Sequence, residues 1–106
     1  QNGYRTQQAT RPQTLSYAMM DSPVGLAAWL IEKFHDWADV KPGCIESAFS
    51  KDELLTNIMI YITTRTFNSA SWIYYGRREE GGRILSEEGH RVEVPTGCAV
   101  FPAECC

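Results

Sequence analysis

The run from Asp21 to Phe34, DSPVGLAAWLIEKF, constrains the fold more than any other part of the chain. Ser22 followed by Pro23 is a helix start. The hydroxyl can accept from a free N–H of the first turn, and proline sits where its missing donor is not needed. Leu26, Trp29, Leu30, Phe34 and Trp37 then recur at three- and four-residue steps, which gathers them on one apolar face. This predicts a helix ending near Asp39.

Other elements follow from similar signals. The first dozen residues, rich in Gln, Thr and Arg and closed by Pro12, read as an extended or irregular lead-in, because proline pushes the residue before it out of the helical region. A short helix is expected from about Thr14 to Met20. Lys41-Pro42-Gly43 makes a turn, and the segment to Phe49 reads as a loop. Ser50 and Glu53 form a capping box ahead of a second apolar face of Leu54, Leu55, Ile58, Met59 and Ile62. Asn57, placed between Leu54 and Ile58, is expected to be buried and structural. Thr63, Thr64 and Thr66 weaken the end of that helix, since β-branched residues lose side-chain freedom there. Asn68 or Ser69 can cap a further turn or two carrying Trp72, Ile73 and Tyr75, up to Gly81-Gly82. Pro95 introduces Thr96 to Phe101, apolar on both sides in the manner of a buried parallel strand, and Pro102 stops it.

The chain has 106 residues, enough for one domain that buries about 60–70% of its unfolded surface. Its formal charge of −3 provides no basic field for phosphates, and Glu79 and Glu80 directly follow the pair Arg77-Arg78, which argues against nucleic acid as a partner. No apolar run approaches the roughly 18 residues needed to cross a bilayer, and no leader-like segment opens the chain. No membrane partner is therefore expected. Cys44, Cys98, Cys105 and Cys106 have neither framework spacing nor a histidine placed to complete a zinc site. Free thiols in a reducing, cytoplasmic compartment are the expectation, with no metal and no cofactor.

Tyr4 lies in GYRTQQATRP, and Tyr74 lies in SASWIYY. Taken in order with DSPVGLAAWLIEKF and SKDELLTNIMIYITTRT, these segments resemble the lid of the microsomal-type epoxide hydrolases. Those are α/β-hydrolase enzymes whose helical lid, inserted into a catalytic core, holds two tyrosines over the oxirane oxygen while a core aspartate attacks the ring. The resemblance implies a mainly α fold, the helical lid of an α/β-hydrolase with about three to four helices and one short C-terminal β-strand. It implies a single domain: 1–82 helical lid, 83–94 polar loop, 95–106 strand and acid-bearing tail.

On this resemblance Tyr4 and Tyr74 are the candidate catalytic phenols. A phenol stays protonated at neutral pH and can donate to an opening oxirane. Two aimed at one oxygen would stabilise developing alkoxide charge as an oxyanion hole does. Glu104, closing VPTGCAVFPAE, matches the acid that orients the family's catalytic histidine, an acid placed just past the end of a strand. Without its histidine it would be a solvated glutamate. The family's nucleophilic aspartate precedes the lid and its histidine follows the acid, and neither lies among these residues. His90 precedes Glu104 and does not match. His35 and Asp36, adjacent on a helix, are expected to point apart rather than pair. Tyr17, Tyr61 and Tyr75 are read as packing residues.

The implied function is that of a lid whose tyrosines polarise an epoxide oxygen in the complete enzyme, with no turnover by the chain alone. Two other readings stand beside it. One is a helical module for self-association or for binding a lipophilic small molecule, an epoxide among the candidates. The other is one subunit of a split hydrolase. Homodimerisation is expected, because a lid face without its core would be an exposed apolar patch.

Overall fold

A computed structural model describes residues 2–81 and 94–100. Its architecture is helical: α1 (Gly3–Thr10), α2 (Pro12–Asp21), α3 (Pro23–Trp37), a short 3₁₀ turn (Ile45–Ser47), α4 (Lys51–Thr64) and α5 (Phe67–Glu79). The mainly α class is as expected, with five α-helices among the described residues rather than three to four. Residues 95–100 adopt no regular secondary structure and are exposed. The strand expected over Thr96 to Phe101 runs on into residues outside those described, as do most of the polar loop, His90, Glu104, Cys105 and Cys106. Among the described residues no helix is long and apolar enough to cross a membrane.

The first dozen residues correct the sequence reading, since Gly3–Thr10 is helix and Pro12 begins the next one. The effect of Pro12 falls on Arg11 alone, whose backbone (φ −139°, ψ 59°) separates α1 from α2. Before it, the Thr6 and Thr10 hydroxyls donate to the carbonyls of Asn2 and Thr6, an arrangement compatible with helix. Pro12 itself starts α2 from its first turn and is buried. That helix therefore begins two residues earlier than Thr14.

The remaining caps explain the other boundaries. Ser22 Oγ accepts from Gly25 N at 3.0 Å and opens α3, which ends at Trp37. Lys41 O accepts from Cys44 N at 2.9 Å around Pro42 and Gly43, whose φ of 70° is the left-handed value that such a turn assigns to glycine. At α4 the capping box is complete, with Glu53 Oε2 accepting from Ser50 N at 2.8 Å and Ser50 Oγ accepting from Glu53 N at 3.3 Å. The Ser50 amide, and then its hydroxyl, hold the Glu53 carboxyl below the usual glutamate range. Threonines close α4 as expected, Thr63 and Thr64 bonding back to the carbonyls of Met59 and Ile60. Arg65 follows in the left-handed conformation (φ 56°, ψ 38°) and turns the chain into α5. Thr66, not Asn68 or Ser69, is the N-cap residue of α5, and it makes no side-chain cap bond. Asn68 instead accepts from Trp72 Nε1 at 2.9 Å, and Ser69 donates to Thr66 O.

Helix α5 packs on α1 and α2, and α3 bridges α2 to α4. Leu26, Ile58 and Phe67, one each from α3, α4 and α5, form the buried centre. Leu15, Met19, Leu30 and Tyr61 are among the partly buried residues around it. The packing ties the two ends of the helical array together: Arg78 Nη1 of α5 donates to Ala9 O of α1 at 3.1 Å.

Candidate functional site

Tyr4 stands in the first turn of α1 and Tyr74 in the second half of α5, 70 residues apart. Packing of α1 on α5 brings the rings together, with centroids 5.9 Å apart and planes at 84°. Both are half-buried, and both line one open cleft of about 290 Å³. Glu104, the third candidate, lies outside the described residues.

The cleft is graded in depth. Its least exposed lining residues are Ser71 (1%), Phe67 (3%) and Gln8 (5%), while Trp29, Lys33, Phe34, Trp37 and the two tyrosines are only partly buried. Helix geometry explains why these residues share a wall. Gln8 is one turn on from Tyr4, and Ser71 is one turn before Tyr74, so each helix turns a phenol and a second polar group to one side. Asn57 and Tyr61 of α4 also line the cleft. Asn57 is half-buried there, not enclosed between Leu54 and Ile58 as its neighbours in sequence suggested.

An aromatic box surrounds Tyr4. Its ring lies 4.9 Å from that of Trp37, and Lys33 Nζ stands 5.0 Å from the Trp29 centroid and 5.6 Å from those of Tyr4 and Trp37. A cation at such distances is attracted to the negative faces of the rings. Lys33 is also paired with Glu32. Sequence reading passed over this lysine, although Trp29, Lys33 and Trp37 recur every four residues on α3 and so share one helix face.

Ser71 is the second residue that sequence reading missed. Its Oγ is buried and has no hydrogen-bond partner, alone in this among the described side chains. Other hydroxyls on these helices bond back to a carbonyl one turn earlier, as Ser16 does to Pro12 O at 2.8 Å. Leaving a buried hydroxyl unpaired costs about 1–3 kcal/mol. No sequence signal marks this serine, because its isolation is a property of the packing.

The other polar candidates stay apart from the cleft. His35 Nδ1 and Asp36 Oδ1 lie 2.8 Å apart, which corrects the expectation that they would point away from each other. They stand in the last turn of α3, where two short, half-exposed side chains reach each other. Neither lines the cleft. Tyr75 packs edge-on to Trp72 at 5.3 Å, whereas Tyr17 is 71% exposed and is not the packing residue expected. Cys44 and Cys98 are exposed free thiols. Among the described residues no group of three or more metal-ligating side chains converges.

No protein-family model matches the chain. Individual curated proteins do. The chain is 44% identical over 109 aligned residues to epoxide hydrolase 1 of Sus scrofa, a match covering 98% of this chain and 24% of that protein. It is 48% identical over 103 residues to a putative epoxide hydrolase of Stigmatella aurantiaca, covering 97% and 22%. Juvenile hormone epoxide hydrolase 2 of Ctenocephalides felis is 38% identical over 109 residues, covering 98% and 23%. The chain thus spans about a quarter of the length of the curated relatives it matches. Identity of this order, with alignments that span nearly the whole chain, makes it similar to the lid region of epoxide hydrolases.

Proposed function

We propose that this segment is the lid that positions and polarises an epoxide oxygen over a hydrolase core, with Tyr4 and Tyr74 as its two donors. The observation that supports this most is the 5.9 Å approach of two tyrosines 70 residues apart at the rim of one cleft. In the complete enzyme an aspartate outside this segment attacks a ring carbon, and the C–O bond breaks. The phenols then stabilise and protonate the departing oxygen. Water activated by a histidine, itself oriented by Glu104, hydrolyses the resulting ester. The apolar walls from Trp29, Leu30, Phe34 and Phe67 suit a lipophilic substituent on the oxirane.

The test is direct. Purified chain incubated with styrene oxide is expected to yield no diol above the uncatalysed rate, and to become active only when a core supplying the aspartate and histidine is joined to it. Replacing Tyr4 and Tyr74 by Phe in that assembly should abolish most of the rate. Diol formation that survives both replacements contradicts the assigned roles.

A second reading is favoured by the surface of α4. Leu55 (54%), Met59 (49%) and Ile60 (54%) are exposed together around a shallow depression, and Trp72 and Ile73 are exposed on α5. Such a surface supports self-association when no other chain covers it.

A further inference from the structure

We propose that Ser71 and Gln8 form a second, polar subsite at the floor of the cleft, which receives a hydroxyl or ether oxygen carried by the ligand at a short alkyl chain's distance from its oxirane. Three observations carry this. Ser71 is one of the residues lining the cleft, and its Oγ is buried and has no partner, whereas the Ser16 and Thr64 hydroxyls satisfy themselves on a carbonyl. Gln8, at 5% exposure, lines the same cleft and carries an amide with two donors and an acceptor. Phe67 belongs both to the apolar core and to the cleft lining, so Ser71 and Gln8 are the polar side chains among its three least exposed lining residues.

The spacing sets the ligand class. Ser71 precedes Tyr74 by three residues and Gln8 follows Tyr4 by four, each about one helical turn or ~5 Å along its axis. A ligand whose oxirane oxygen meets the phenols can therefore place a second oxygen on the floor without leaving the cleft. This assigns the site to oxygen-bearing lipophilic epoxides in preference to plain hydrocarbon epoxides. The preference rests on the lid reading above, while the hydroxyl-binding floor does not.

Three probes separate the two: 1,2-epoxyhexane, 5,6-epoxyhexan-1-ol and hexan-1-ol, each titrated into the full chain and followed by NMR shifts of residues lining the cleft. The epoxy-alcohol is expected to bind about two- to tenfold more tightly than the epoxide that lacks its hydroxyl, the range of a single neutral hydrogen bond. Ser71→Ala should erase that preference, and it deletes an unpartnered oxygen, so circular dichroism should report an intact fold. Tyr4→Phe with Tyr74→Phe should weaken both epoxides and leave the Ser71-dependent binding of hexan-1-ol in place. If the tyrosine replacements change nothing while hexan-1-ol still depends on Ser71, the subsite stands and the oxirane reading falls. Equal affinity of the two epoxides, a preference that persists in Ser71→Ala, or no saturable shift with any probe overturns the subsite.

Discussion

Lys33 stands among three of the aromatic rings that line the cleft. Its ammonium stays within 5.0–5.6 Å of three ring centroids, at 18% side-chain exposure. Replacing Lys33 by Met keeps the length of the stem and removes the charge, so the loss reports the cation–ring attraction together with the pairing to Glu32. Stability to urea is expected to fall by about 0.5–1 kcal/mol and the tryptophan emission to shift, whereas Lys33→Arg should restore most of both. Unchanged unfolding and emission in the methionine variant would mean that the box holds together through ring packing alone. The repeat of Trp29, Lys33 and Trp37 was open to sequence reading as a shared face. That Tyr4, far away in sequence, completes the box was not, because helical spacing carries no information about what packs across it.

The joint between α4 and α5 is a local compromise. Arg65 holds a left-handed backbone that costs an L-residue with a Cβ about 1–2 kcal/mol, and it closes the helix as glycine usually does, with Thr66 N donating to Tyr61 O at 3.3 Å. Arg65→Gly should remove that strain at an entropic cost of about 0.4–1 kcal/mol in the unfolded chain, leaving a net gain of about 0.5–1 kcal/mol. Thermal unfolding checks it; an equal or lower midpoint would show that the arginine side chain contributes more than its backbone costs. Sequence reading found the threonine-weakened end of α4 and its capping box, since both act within one or two turns. It lost α1 because a polar, glutamine-rich segment with one buried side chain, Gln8, has almost no apolar periodicity to read. Contact with α5 stabilises it, and that contact is non-local.

Five packed helices leave a large part of their apolar surface uncovered, most plainly Leu55, Met59 and Ile60 on α4. The chain is therefore expected to self-associate as concentration rises, with light scattering moving towards the mass of a dimer and Met59→Asp returning it to a monomer. A constant monomer mass across a wide range would remove this reading and leave the face to a hydrolase core. This segment spans about a quarter of the length of the relatives it matches. Helix starts, turns and the apolar face of α3 were legible in the residue order, because capping and periodicity operate over a few neighbours. The resemblance to epoxide hydrolase lids was legible too, through motifs that keep their order along the chain. The meeting of Tyr4 with Tyr74, the stranded hydroxyl of Ser71 and the caged ammonium of Lys33 exist only once α1, α3 and α5 are docked. Each depends on which side chains face one another across helices, and that is set by the packing of the chain as a unit.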